Sequence, residues 1–298
     1  MREKRVVALD VGGSAVKSGL VAPEQQIVDD VRLTPMDSRG SAEQILATLA
    51  SILADHLAAG DGAQGAAFGF PGPFDYAKGV CLIRGVAKFD ALYGVNVGAA
   101  LQALLGKPEL EFRFRNDAEA SIVGEAVYGA GRAYRRVLGL ALGTGCGSAF
   151  VADGSVVTKG AGLPPNGWLY PVEFRGQRAD DLFSTRGLLA RFRDRGTDAD
   201  DVAAALRIAG SRNEGIIESF EAFGADLGEF LKPFVAAFHA DAVLILGGIA
   251  RAFDAFAPQV SKAIPGPVLK GELGARAALL GAAALFTPPE RDTNARIT

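Results

Sequence analysis

The chain has 298 residues, 49% hydrophobic and 22% charged, which is enough for two modest domains with well-buried cores. A formal net charge of −3 supplies no field for nucleic acid or an anionic membrane, so neither is expected as a partner. Two cysteines, Cys81 and Cys146, are too few for a disulfide framework or a cysteine-built zinc site, and they suit a reducing compartment.

The start, Met1-Arg-Glu-Lys-Arg5, is charged and runs into a strand without an apolar leader. No window reaches the roughly 18 unbroken apolar residues of a membrane span, and the expectation is a soluble, cytoplasmic protein. Residues 6–9 predict a buried strand closed by Asp10-Val-Gly-Gly-Ser14, and residues 14–21 a second strand. Glycine leaves backbone N–H groups in such a turn open to an anion, and Asp10 at the strand end suits a magnesium ion held through water. A plain hairpin with solvated polar residues is the competing reading.

Residues 27–33 predict a strand. Residues 41–57 predict a helix, with Ser41 as N-cap and Gln44 three residues on. Residues 65–70 predict a strand ending in Phe70-Pro-Gly-Pro73, and α/β proteins tend to bind ligands at such strand ends, which singles out Pro71 and Gly72. Residues 78–97 suit a substrate-facing loop, 97–105 a short helix and 110–115 a strand. In Arg115-Asn-Asp-Ala-Glu-Ala120, Asn116 and Asp117 begin the next helix. An Asx residue there is an ordinary cap, but a strand-to-helix junction is also where a catalytic carboxylate is commonly held.

Residues 137–142, 143–147 and 148–151 repeat the plan of strand, glycine turn and strand, and Asp153-Gly154 turns a hairpin into residues 155–158. The repeat suggests two similar α/β halves facing each other across a cleft. Residues 160–178 predict an irregular loop containing Trp168 and Glu173. Helices are expected over 180–194, 198–209 and 214–238, a strand over 242–246 ending in Gly247 and Gly248, a helix over 253–264, and a short strand over 267–270. A closing helix over 275–286 precedes a polar, frayed tail from Thr287.

Three simple chemistries fail. Leu142-Gly-Thr-Gly-Cys-Gly-Ser148 has Ser148 at the last glycine place of the dinucleotide fingerprint, and no P-loop pattern occurs. His56 and His239 both lie in helix-like stretches, so a Ser-His-Asp triad is not expected. Phosphoryl transfer remains, because it needs neutralised phosphate charge, alignment and a base for the attacking hydroxyl. The turns around Gly12 and Gly145 offer donors, Asp117 would take the proton, and Asn116 can donate to and accept from vicinal sugar hydroxyls.

Asp10-Val-Gly-Gly-Ser14, Phe70-Pro-Gly-Pro73, Asn116-Asp-Ala-Glu-Ala120, Gly124-Glu125, Tyr128-Gly-Ala-Gly131, Leu142-Gly-Thr-Gly-Cys-Gly147 and Leu246-Gly-Gly248 resemble, in order, the motifs of the ROK family of sugar kinases. The early segments also look like the family's polyphosphate-using glucokinases. The resemblance implies a two-domain, actin-like, ribonuclease-H-like α/β fold, divided here into 1–115 and 116–298, with a helix over 275–290 packing back on the first domain. It implies ATP with magnesium, Asp117 as base and a homodimer. Asp10, Gly12, Gly13, Ser14, Lys17, Thr144 and Gly145 would hold phosphates and metal, and Gly247 and Gly248 would lie near the adenine. The family's Glu-x-Gly-His element corresponds to Gly167-Trp-Leu-Tyr-Pro-Val-Glu173, which lacks the histidine, so Glu173 alone is expected to reach a sugar hydroxyl. The family's cysteine-rich loop is missing and no structural zinc is expected. The resulting expectation is an ATP-dependent kinase for the 6-hydroxyl of glucose or a related hexose. A non-catalytic sugar sensor and a polyphosphate-dependent glucokinase stay open as alternatives.

Overall fold

A computed structural model of the chain describes residues 5–59, 63–197, 199–209 and 214–286. The charged residues 1–4, the first residue of the 198–209 helix, the polar tail from 287 and the end of the 275–290 helix lie outside the described residues. Two compact units result: Met1–Tyr128 with Leu273–Thr298, and Gly129–Glu272.

In the first unit, β1 (Arg5–Val11), β2 (Ala15–Ala22) and β3 (Ile27–Pro35) form an antiparallel meander. There follow α1 (Ala42–Ala59), β4 (Ala63–Phe70), a small hairpin of β5 (Phe74–Asp75) and β6 (Val80–Cys81), α2 (Val97–Leu105), β7 (Glu111–Asn116) and α3 (Asp117–Tyr128). The sheet order is β3-β2-β1-β4-β7, with β1, β4 and β7 parallel. Alternation decides which side each residue buries. Val7, Leu9, Val11, Phe68 and Phe70 join α1 and α2 in one core, whereas Val6, Ala8 and Ala67 face a second, smaller one. The start of α1 is a capping box: Ser41 N–H donates to Gln44 Oε1 at 2.9 Å and Gln44 N–H to Ser41 Oγ at 3.3 Å.

The second unit repeats this sheet. Strands β8 (Arg136–Leu142), β9 (Cys146–Ala152) and β10 (Ser155–Val156) form the meander, and Asp153 and Gly154 both take the positive φ that a two-residue hairpin needs. A short hairpin, β11 (Glu173–Phe174) and β12 (Gln177–Arg178), gives part of the expected 160–178 loop regular structure. Beyond it come α4 (Ala179–Phe183), α5 (Thr185–Asp194), α6 (Val202–Ala209), α7 (Glu214–Phe238), β13 (Ala242–Leu246), α8 (Phe253–Ala263) and β14 (Val268–Lys270). The order β10-β9-β8-β13-β14, with β8, β13 and β14 parallel, matches the first sheet strand for strand. The core is aromatic, with Phe183, Phe220, Phe223, Phe230 and Phe256 in one cluster.

Three expectations change. The helix expected over 180–194 is broken at Ser184, which is extended at φ −89° and ψ 171°. The break lets Thr185 N–H bond Gly143 O at 2.7 Å. His239 is not helical; it follows α7 in the left-handed region, at φ 51°. The units divide after Tyr128 rather than at 115/116, because α3 lies on its own sheet: a Cβ on Gly69 would sit 3.3 Å from that of Ala120. Among the described residues no helix is long and apolar enough to cross a membrane.

After the second unit the chain returns as α9 (Arg276–Ala283), which lies on α3 with the two backbones in contact. A Cβ on Gly124 would stand 1.9 Å from Ala277 O, and one on Gly281 would stand 1.8 Å from Ala120 O. The crossing therefore excludes every side chain but hydrogen at both places. Replacing Gly281 by Ala must push the helices apart and is expected to cost about 1–3 kcal/mol or more. Urea unfolding measures this, and a midpoint equal to that of wild type would contradict the crossing.

Candidate functional site

Strands β1, β4 and β7 end side by side: Asp10 is in register with Gly69, and Phe70 with Asn116. The carboxyl edge of the parallel strands thus gathers Asp10, the Pro71–Gly72 corner, Asn116 and Asp117. Asn116 ends β7 and caps α3; its Oδ1 accepts from Ala118 N–H at 3.1 Å and Glu119 N–H at 3.2 Å. Its Nδ2 donates to Tyr76 Oη at 3.1 Å, and Tyr76 donates to Phe70 O at 3.1 Å. Tyr76 therefore ties the Phe-Pro-Gly-Pro corner to the start of α3. No periodicity marks it in the sequence, and only its place six residues after Phe70 hints at a role.

Asp117 is the first residue of α3 and stands half-buried, its Oδ1 accepting from Ala118 N–H at 2.9 Å. Burial holds its carboxyl above the usual carboxylate range; the Ala118 hydrogen bond opposes this, and the nearby Asp10 charge adds to it. A base with raised proton affinity is better matched to taking a proton near neutral pH. Burial likewise raises Tyr76, keeping its phenol a neutral donor.

The first glycine turn closes with Gly12 N–H bonded to Ala15 O at 3.0 Å. The amides of Gly13 and Ser14 meet no acceptor among the described residues. Lys17 lies opposite Asp10 across the β1–β2 ladder and pairs with its Oδ2 at 3.0 Å. The second turn is alike: Gly143 N–H bonds Gly145 O at 3.0 Å, and the amides of Thr144 and Gly145 meet no acceptor among the described residues. Asp180, which the sequence did not single out, braces this turn by accepting from Cys146 N–H at 2.8 Å. Beside it Gly247, directly after β13, takes φ 94°, and a Cβ there would stand 2.3 Å from Leu142 O, so only glycine fits. Gly248 follows in open space with its N 3.8 Å from where a Cβ of Gly143 would be. Two such amide pairs are anion-accepting concavities. Glu173 is exposed on the β11–β12 hairpin of the second unit, whereas Asp117 and Asn116 belong to the first.

A serine, a histidine and an aspartate do meet elsewhere. Ser18 Oγ is 2.9 Å from His56 Nε2, and His56 Nδ1 is 3.2 Å from Asp30 Oδ2. Ser18 is fully buried and His56 is 1% exposed, so no substrate reaches the hydroxyl and the set is structural.

Among the described residues no three His, Cys, Asp or Glu side chains are grouped to hold a metal ion. Magnesium commonly takes one or two carboxylates and completes its shell with water and substrate phosphates. Asp10, with Oδ2 on Lys17 and Oδ1 available, and the neighbouring Asp117 fit that pattern.

The model of the ROK family matches residues 6–288. The glucokinase of Thermotoga maritima is 28% identical over 163 residues, 55% of this chain and 49% of that protein, so the chain spans about half the length of that relative. The ROK hexokinase structure from Thermus thermophilus superposes with a TM-score of 0.76 at 22% identity, covering 94% of this chain and 96% of that one. The inorganic polyphosphate/ATP-glucomannokinase of Arthrobacter sp. strain KM gives 0.68 at 25% identity, covering 95% and 98%. The fold is the actin-like, ribonuclease-H-like ATPase fold.

Two outcomes follow from these charges. A raised carboxyl favours the fold while protonated, and that stability is lost as pH rises through the folded pKa. Asp117→Asn should therefore melt higher than wild type at neutral pH, the gap closing as pH falls toward about 4. Calorimetry across pH checks this. Burial holds His56 below its ordinary value, with Asp30 and Asp55 opposing and Arg32 assisting. Stability should therefore fall as pH drops from about 7 to about 5, and His56→Gln should flatten that slope.

Proposed function

We propose, on the premise that the chain belongs to the ROK family, that it is a carbohydrate kinase transferring the terminal phosphoryl group of ATP to a hexose hydroxyl. The 6-hydroxyl of glucose or a related hexose is the acceptor we favour. One observation carries this reading: Asp117, its proton affinity raised by burial, stands at the strand edge beside Asp10 and the open amides of the first turn. The Thermotoga glucokinase and the Arthrobacter glucomannokinase, both kinases by name, support it.

In this mechanism Asp117 accepts the proton of the attacking hydroxyl as that oxygen forms its bond to phosphorus. The bond from phosphorus to the bridging oxygen breaks, and ADP leaves with the electron pair. Gly13 and Ser14 in the first unit, and Thr144 and Gly145 in the second, would donate amide hydrogens to phosphate oxygens, with Gly247 and Gly248 near the adenine. Magnesium, when bound through Asp10, would supply positive charge to the phosphates. Asn116 Nδ2 keeps one N–H beyond its bond to Tyr76, and with Pro71, Gly72 and Glu173 it would meet the sugar. Lys17 would hold Asp10 in place and partly neutralise it. A homodimer in the cytoplasm completes the proposal.

Polyphosphate as donor is a second reading, favoured by the Arthrobacter enzyme, whose name includes both donors. The non-catalytic sensor gains nothing from the site, because a sensor has no need of a carboxylate set up as a base.

The test is ADP release from ATP and magnesium against hexoses, amino-hexoses and N-acetylhexosamines, repeated with polyphosphate and sugar 6-phosphate as readout. One sugar should support turnover, and Asp117→Asn should lower kcat by about 10²–10⁴-fold while sugar binding persists. Silence with every sugar and both donors would sink the kinase, and near-normal turnover in Asp117→Asn would remove the base.

A further inference from the structure

One cation of the first unit stands at the first glycine turn without a carboxylate partner. A Cβ on Gly13 would lie 3.2 Å from Lys88 Cδ, 3.4 Å from Lys88 Cε and 3.3 Å from Ser38 Oγ. The lysine stem therefore runs along the glycine whose amide, with that of Ser14, meets no acceptor among the described residues. Lys17, the other lysine of this turn, is paired with Asp10, and the two charges largely cancel. Lys88 makes no ion pair among the described residues and is solvent-exposed.

Its position is built rather than accidental. Asp90 accepts from Val86 N–H at 3.4 Å and Ala87 N–H at 3.3 Å, closing the loop just before Lys88. Phe89, just after it, is 1% exposed, packs on Phe70 with ring centroids 5.3 Å apart, and donates its N–H to Ser38 O at 2.6 Å. Ser38 N–H in turn donates to Gly13 O at 3.3 Å, so loop and glycine turn are one hydrogen-bonded body. Ala87 at φ 55° and Phe89 at φ 56° both take the left-handed conformation that residues other than glycine avoid. Strain on both sides of one exposed lysine persists only where surrounding contacts hold it, and such strain gathers at functional sites.

We propose that Lys88 is a ligand of the phosphoryl group received by the Gly13 and Ser14 amides, and that this group is the terminal phosphoryl of the donor. The ammonium contributes a point charge with rotatable donors to a phosphate already met by backbone N–H groups. Its role rests on the kinase reading for the identity of the donor, but not for the presence of an anion site.

The test uses the full chain with Lys88→Met, which keeps the stem and removes the charge, and Lys88→Arg, which keeps the charge. Lys107→Met, an exposed lysine elsewhere, matches the change in net charge. Tripolyphosphate binding by calorimetry should weaken at least tenfold in Lys88→Met and hold in Lys107→Met. With the accepted sugar, kcat should fall on the order of 10²-fold in Lys88→Met with the sugar KM unchanged, and Lys88→Arg should recover most of it. Equal behaviour of Lys88→Met and Lys107→Met in both assays overturns the proposal. Loss only of inhibition by sugar 6-phosphate, with kcat and the ATP KM intact, overturns the assignment to the donor and gives the phosphate to the product. Tripolyphosphate binding through Lys88 in a protein that turns over no sugar would sink the kinase while the anion site stands.

Discussion

A helix crossing with no room for a side chain governs the first unit. Gly124 on α3 and Gly281 on α9 each face the other helix's carbonyl at a distance no Cβ could share. Arg115 adds a hydrogen bond to Gly281 O at 2.7 Å, Arg113 bonds Leu285 O, and buried Glu125 accepts from Leu273 N–H at 2.7 Å. Main-chain groups near the C-terminus thus set the axis of a helix that begins at Asp117. A carboxylate brought to the site by residue 117 is held there by residues some 160 positions later.

The duplicated sheet gives the same physical device twice. In each unit an antiparallel hairpin leaves the first strand through a short glycine turn whose next two amides meet no acceptor among the described residues. Such amides are costly when buried and unmet, and useful when an anion can meet them. The supports differ: backbone from residues 36–38 lies against the first turn, whereas Asp180 and Thr185 hold the second. What distinguishes the first turn is a pair of carboxylates, Asp10 and Asp117, close enough for one to raise the other, where the second turn has Asp180 bound to its backbone.

Charge is handled in opposite ways at the two polar clusters of the first unit. Ser18 and His56 are buried, with Ser18 Oγ 2.9 Å from His56 Nε2, whereas Asp30, 3.2 Å from Nδ1 on the other side of the ring, reaches the surface. At the strand edge, Asp10 has Lys17, while Lys88 is left with solvent in front of it. Similar residue types yield structure in one place and a candidate site in the other, and access to solvent is the difference.

Local signals carried far in this chain. The capping box at Ser41 and Gln44, the Asp153–Gly154 hairpin, the run over 242–246 and the two glycine turns are set by neighbours within a few residues, so spacing alone discloses them. The motifs holding Asn116 and Asp117 likewise pointed to the family matched over residues 6–288. The break at Ser184 was not legible, since the N–H of Thr185, which opens α5, is taken by a carbonyl 42 residues earlier. Nor were Tyr76 and Lys88, whose partners Asn116 and Gly13 are close in space and distant in sequence. The sequence's own short-range patterns decide which strands, turns and caps form. Tertiary packing alone decides that Gly281 positions Asp117, that burial raises its proton affinity and that a lysine overlies Gly13, because these depend on distances and dielectric surroundings that exist only once the chain has closed on itself.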